Sequence, residues 1–253
     1  MAGNGDHRPS QTDGALAMLR SRIIDLTLRP GSRIDEPLLI SQFQLGRTPA
    51  REAINRLAAE GFVTIQPNRG GTFVRALDLA EIGDIVVAQQ LVENVLGQQC
   101  RLDDPALADD LAEIQRDYAE QVRTRNHLLI TEVNERFHLR LHRTVGNSFF
   151  YAFAESTHRH ARRLNVYLYQ LEAQLAAQQD REFEINLEEH ERIITAVAER
   201  DHDTLRALLP EHARGTQRRL VRLLSEHAVE KFGVDVFLDP LLEDALKGTT
   251  PRA

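Results

Sequence analysis

The run Arg47-Thr48-Pro49-Ala50-Arg51-Glu52-Ala53-Ile54-Asn55-Arg56-Leu57 leaves this chain the fewest choices of fold. Thr48 can cap a helix whose first turn begins with Pro49, where a missing N–H does no harm, and Ala50, Ile54 and Leu57 give that helix an apolar stripe. Arg47, Arg51 and Asn55 stand four apart, on or near one exposed face, and their side-chain ends suit phosphates and base edges. Glu60-Gly61 then stops the helix. The short strand Phe62 to Ile65, the polar turn Pro67-Asn68-Arg69-Gly70-Gly71 and a second strand, Thr72 to Val74, follow at once. A helix followed by a two-stranded wing is the pattern of a winged helix-turn-helix.

Upstream, Ala15 to Thr27 predicts a helix with Leu16, Leu19, Ile23 and Ile24 on one face and Pro30-Gly31 as its stop. Glu36 to Phe43 predicts a second, which makes the arginine-bearing helix the third. Residues 1–12 are polar and rich in turn formers, and are expected to be a disordered lead. This order resembles the N-terminal domain of GntR-family transcription regulators. The likeness is carried by Arg29-Pro30-Gly31-Ser32-Arg33-Ile34-Asp35-Glu36, by Arg47 to Ala53, and by Glu60-Gly61-Phe62-Val63 with Asn68-Arg69-Gly70-Gly71. It implies that Arg33, Arg47, Thr48, Arg51, Asn55, Asn68, Arg69 and Gly70 face double-stranded operator DNA. Gly46 departs from the family, which usually has a serine there.

The formal charge of −7 looks wrong for a DNA binder until it is divided along the chain. Residues 1–76 hold ten Arg, no Lys and seven acidic residues, so this part is net +3 and the remainder −10. A DNA-facing module on an acidic second domain fits that division. Cys100 is the single cysteine and excludes an intramolecular disulfide framework; no window is apolar for long enough to span a bilayer, and the start lacks a signal-peptide core. A cytoplasmic protein without a membrane partner is the expectation.

After Val74 the strand signals stop. Apolar periodicity predicts helices over 78–102, 105–124, 128–145, 148–175, 181–200 and 203–230, and hence an antiparallel bundle of six or seven helices. The fold class is therefore mainly α, with a winged helix-turn-helix over 13–76, a helical domain over 77–230 and a tail over 231–253 that has no assigned packing.

Nine of the ten histidines lie beyond residue 126. Asn134 and His138 share one helix face, while His190 and His212 stand on two other helices. A bundle interior can bring such side chains together, and three imidazoles with one oxygen ligand suit zinc or a nickel-like divalent ion. Scattered core or surface histidines are the alternative. The runs Asn134-Glu135-Arg136-Phe137-His138-Leu139-Arg140-Leu141 and Glu189-His190-Glu191-Arg192-Ile193-Ile194, with His212 beyond, resemble the FCD-type C-terminal domain of the FadR branch of that family. Metal-binding members hold a divalent ion at the floor of the effector cavity with an aspartate or asparagine and three histidines. The resemblance implies Asn134, His138, His190 and His212 as ligands, with asparagine where aspartate is commoner. His142 is expected at the surface or behind the ligands, and His127, His158, His160, His202 and His227 are read as ordinary.

The family's first effector-domain helix often carries an arginine four residues before a glutamate. Here Gln89 and Glu93 correspond, so a neutral amide replaces a bidentate carboxylate clamp. Arg159, Arg162 and Arg163 lie on a helix that should line the bundle, and Gln89 and Arg163 are taken as candidate effector residues. The resulting expectation is a homodimeric, metabolite-responsive regulator, usually a repressor in this family, with a small carboxylate as effector. A metal-dependent enzyme is the competing class; it lacks a second histidine four residues after His190.

Overall fold

The structure, a computed structural model, describes residues 11–66, 70–173 and 175–225. Its N-terminal domain comprises α1 (Gln11–Ile24), β1 (Arg33–Ile34), α2 (Glu36–Phe43), α3 (Arg47–Ala59), β2 (Val63–Gln66) and β3 (Gly71–Val74). Asp35 caps α2, its Oδ1 accepting the Leu38 amide at 2.9 Å, and Gln44 ends the helix in the left-handed region at φ 54°. Leu19, Ile23, Leu39, Ala53, Leu57, Phe62 and Val74 close the core beneath α3. That leaves the outer face of α3 to solvent.

Three sequence expectations change here. The wing has a third strand, since β1 pairs antiparallel with β3 in the order β1-β3-β2, Ile34 opposite Thr72. Two residues between Ser32 and Asp35 are too few to show an alternating pattern. The cap of α3 is Gly46 rather than Thr48, and no side chain caps it. Thr48 lies inside the first turn, and the family's serine would have stood at the capping position itself. Finally, α1 begins at Gln11, inside the stretch expected to be disordered. The remaining lead, the wing-tip residues Asn68 and Arg69, His227 and the tail lie outside the described residues.

Asp78 caps the first helix of the second domain, accepting the Glu81 amide at 2.9 Å. The domain consists of α4 (Leu79–Gln99), α5 (Leu107–Arg123), α6 (His127–His142), α7 (Ser148–Leu171), α8 (Ala176–Ala198) and α9 (His202–Ser225), with a 3₁₀ turn at Arg143–Val145. Helix α4 packs against α7 and α9, α5 against α6 and α8, and α6 against α7. One apolar cluster joins Leu96, Leu111, Phe137, Leu141, Ile193 and Leu209; another joins Ile82, Ile85, Leu164, Leu168 and Leu223. Gln89 and Glu93 fall between these clusters along α4, as does His212 along α9. The bundle is thus apolar at two levels and polar between them.

Candidate metal centre and nucleic-acid face

On α3, Arg47, Thr48, Arg51 and Asn55 are exposed, and neither Arg47 nor Arg51 has an ion-pair partner among the described residues. Their neighbours are engaged: Arg56 pairs with Asp13 at 2.8 Å, and Glu52 accepts a bond from Thr12 at 2.6 Å. Arg33 takes a different position, on β1, where its Nη2 donates to the Gly70 carbonyl at 3.2 Å. Two exposed cations without an ion-pair partner among the described residues, Arg47 and Arg51, therefore stand on one face of α3.

In the helical domain, His138, His190 and His212 come from α6, α8 and α9, all buried, with ring nitrogens within 4.8 Å of one another. Hydrogen bonds fix which nitrogen is free in the rings of His190 and His212. His190 Nδ1 lies 3.0 Å from Gln115 Oε1, and the Gln115 amide nitrogen donates to the Leu187 carbonyl at 3.1 Å, which sets the amide orientation. Nδ1 of His190 is therefore the donor, and its Nε2 is buried without a partner. His212 Nδ1 donates to Glu189 Oε2 at 2.6 Å, and its Nε2 meets His138 Nε2 at 3.1 Å. His138 Nδ1 sits 3.0 Å from Glu93 Oε1, at an angle too poor for a hydrogen bond. The bare Nε2 atoms of His190 and His212 thus converge with the Nε2 of His138, and the rings of His190 and His212 are each held from behind by a polar side chain, as metal-ligating imidazoles are. Asn134 Oδ1, also buried without a partner, belongs to the same cleft as His212.

Burial lowers the pKa of His138 and His190, the latter well below the ordinary histidine range, reinforced at His190 by the neighbouring His212 and His138. Both rings are neutral and available as ligands. Burial by itself would raise the Glu93 carboxyl, but His138 and His142 outweigh it and hold the group well below the usual range. The residues present thus fit a divalent cation by donor type and by the neutrality of the buried His138 and His190 imidazoles.

A small cleft, of about 90 Å³, opens beside these histidines. Gln89 and Asn134 line it, and Gln89 Oε1 is buried without a partner. Arg163 does not line it. Its position on α7 is about 200° around the helix from Asn165, which does, so its guanidinium points instead to the domain junction and donates to the Arg75 carbonyl. There burial lowers its pKa to about 10. The cleft's guanidinium groups come from α9: Arg218, Arg219 and Arg222, paired with Glu189 and Glu211, Glu172, and Glu182 respectively.

Sequence reasoning missed several residues. His142 and His158 are buried around Glu93 rather than peripheral, and His142 was visible as the next position after His138 on the same face. Glu189 could have been found through its adjacency to His190. Gln115 gave no signal, because nothing in α5 marks it.

A winged helix with a free cationic recognition face, joined to a separate helical domain, defines a DNA-binding transcription regulator. Residues 11–74 match the family described as bacterial regulatory proteins, gntR family, and residues 84–215 match the FCD domain. The chain belongs to the GntR-family transcription regulators that carry an FCD domain. It is 29% identical over 88% of its length, and 90% of the relative's, to an uncharacterized HTH-type transcriptional regulator of Streptomyces ambofaciens. Identity to the Nta operon transcriptional regulator of Aminobacter aminovorans is 34%, over 45% of this chain and about half (53%) of that relative. The gluconate operon transcriptional repressor of Bacillus licheniformis is 25% identical over 84% of this chain and 86% of its own. Among solved structures, a GntR regulator from Rhodococcus sp. RHA1 has a TM-score of 0.69 at 22% identity, covering 84% of this chain and 99% of that one, which supports the fold. The family and these relatives are transcription regulators, not enzymes, which sets aside the enzyme reading. No helix among the described residues is long and apolar enough to cross a membrane.

Proposed function

We propose that this chain is a cytoplasmic, homodimeric repressor of the FadR branch whose helical domain holds one divalent cation, zinc or a nickel-like ion, at Asn134, His138, His190 and His212, and binds a small carboxylate in the adjoining cleft. The observation that carries the reading is the convergence of three buried imidazole nitrogens on His138, His190 and His212, with the rings of His190 and His212 oriented by Gln115 and Glu189. When bound, the ion would supply a positive charge at the cleft floor to which a carboxylate oxygen can coordinate. Gln89 would contribute a neutral hydrogen bond, and Arg218, half-exposed at the cleft, a cation that could exchange its glutamate partners for the ligand. An ion that joins α6, α8 and α9 also cross-links the bundle, so metal and effector should raise each other's affinity by one common factor.

Gluconate, named for the Bacillus relative, heads a panel of small carboxylates to be titrated by calorimetry into chelator-stripped protein, zinc-loaded protein and zinc-treated His190→Ala. A ligand that binds the zinc-loaded wild type more tightly than the other two supports the reading. Equal affinity in all three overturns the metal–effector site and leaves the DNA-binding assignment intact.

A further inference from the structure

A second group of metal-ligating side chains stands beside the first and shares no residue with it. Glu93 Oε1 from α4, His142 Nε2 from α6 and His158 Nε2 from α7 form a triangle with edges of 3.1, 3.0 and 3.0 Å. All three side chains are buried.

Hydrogen bonding does not satisfy this triangle. Each imidazole Nε2 carries at most one proton, so two donors must serve three edges. If both donate to the carboxylate, two N–H groups face each other across 3.0 Å. If His142 donates to His158 instead, the bare His158 nitrogen points at a carboxylate lone pair. The load on Glu93 is also one-sided. Oε1 has three imidazole nitrogens within 3.1 Å, counting His138, while its twin Oε2 is buried with no partner. His142 Nδ1 likewise has no partner and can carry the ring proton while Nε2 stays bare.

A cation satisfies the three donors together. Two imidazoles and a carboxylate suit zinc and its neighbours, and tetrahedral bonds of about 2.0–2.1 Å need donor–donor edges of roughly 3.3 Å, a few tenths more than those present. Oε2 remains available as a fourth donor.

We infer that Glu93, His142 and His158 form a second divalent-cation site, so that the helical domain holds two ions, with Glu93 linking them by binding one while facing the Nδ1 of His138, a ligand of the other. The second site fastens α4, α6 and α7, whereas the first fastens α6, α8 and α9.

The test is metal stoichiometry of the full chain. Chelator-stripped protein is titrated with zinc against a chromophoric competitor. Two equivalents per chain are expected in the wild type, one in His158→Gln and one in His190→Ala. Cobalt(II) titration of the unaltered wild type gives the same count without a variant, its d–d absorption rising to two equivalents. A wild type that binds one equivalent, kept in His158→Gln and lost in His190→Ala, overturns the second site and leaves the proposed function standing. One equivalent kept in His190→Ala and lost in His158→Gln supports the second site and removes the first.

Discussion

His160 of α7 stacks on Phe62, the residue that follows the recognition helix and its Gly61 stop, with ring centroids 4.1 Å apart and planes 13° from parallel. Its Nε2 donates to the Glu60 carbonyl at 2.9 Å, and Arg163, one turn further, donates to Arg75. Two residues before His160 stands His158, in the buried cluster around Glu93. One helix thus touches both the buried histidine layer and the end of the recognition helix. His160→Ala removes the stacking partner and the carbonyl's donor without touching α3. The metal-dependent change in affinity for an operator fragment, which for coupled sites falls on the order of 5–150-fold, should shrink toward unity in this variant, while the affinity of the metal-free protein changes far less. Fluorescence anisotropy with and without zinc measures both. A full metal response in His160→Ala would show that coupling runs elsewhere.

The DNA face makes a separate prediction. Arg47→Ala and Arg51→Ala should each cost about 1–3 kcal/mol of operator affinity if their guanidinium groups contact bases, and less, with a reduced salt slope, if they contact phosphate. Arg33→Ala removes the bond to the Gly70 carbonyl, so its loss should depend little on operator sequence. Binding isotherms at several salt concentrations separate these cases. An unchanged footprint for the Arg47→Ala/Arg51→Ala double variant would remove α3 from the interface.

Local chemistry explains what could be read in the sequence and what could not. The core stripe Ala50, Ile54 and Leu57 is a periodicity, and the structure buries all three. His138, His190 and His212 were legible because a family pattern and helical spacing coincide at them. Thr48 was misplaced by one turn-start because Gly46, with no side chain to announce a cap, takes that role. The ring-orienting residues were harder. Gln115 matters only because α5 packs on α8, a tertiary fact that no window of sequence contains, and Arg163 was misassigned because its side of α7 depends on the helix's rotation against α4.

Gln115 should matter to metal affinity without being a ligand. Its Oε1 holds the proton of His190 on Nδ1, which keeps Nε2 bare. In Gln115→Leu that orientation and tautomer are no longer enforced, and zinc affinity should fall by about 10–100-fold, as for other groups that position a metal-bound imidazole. Glu189→Gln should weaken binding through His212 in the same way. Competition titrations with a chromophoric chelator read both, and circular dichroism reports whether the bundle persists. Unchanged affinity in both variants would mean that the rings are positioned by packing alone.

Acid should destabilise the metal-free protein well above the carboxylate range. Burial lowers the pKa of His138, His158 and His190, whereas in the unfolded chain these groups titrate near 6.5. Below about pH 6.5 the unfolded state therefore binds more protons than the folded one, and stability falls with a slope approaching about 1.4 kcal/mol per pH unit for each such histidine. Glu93 faces His138, His142 and His158 and works in a lower window, because its depressed pKa keeps its contribution intact until the pH drops through the carboxylate range. Urea midpoints of chelator-treated protein should accordingly be lower at pH 5.5 than at 7.5, and flatter with pH in His190→Phe. Midpoints that coincide at the two pH values would contradict neutral, buried imidazoles.

The dimer should form through α4. Val87, Leu91 and Val95 lie four apart on this helix and are 56, 55 and 39% exposed, an apolar stripe on the face turned away from the bundle's core. Pro210 and Arg214 of α9 flank it across a shallow groove. Covering a Val or Leu side chain fully gains about 1.5–3 kcal/mol, so a stripe of this length can hold two copies together. A twofold interface repeats every substitution on both partners, so one exchange buries two uncompensated charges at once. Leu91→Glu should therefore convert a dimer into a monomer in size-exclusion chromatography with light scattering, while Arg218→Gln, on the cleft side, leaves the dimer intact. Operator affinity should drop more than tenfold with it, since two half-sites are no longer read by one particle. A Leu91→Glu protein that remains dimeric at micromolar concentration would place the interface on another face.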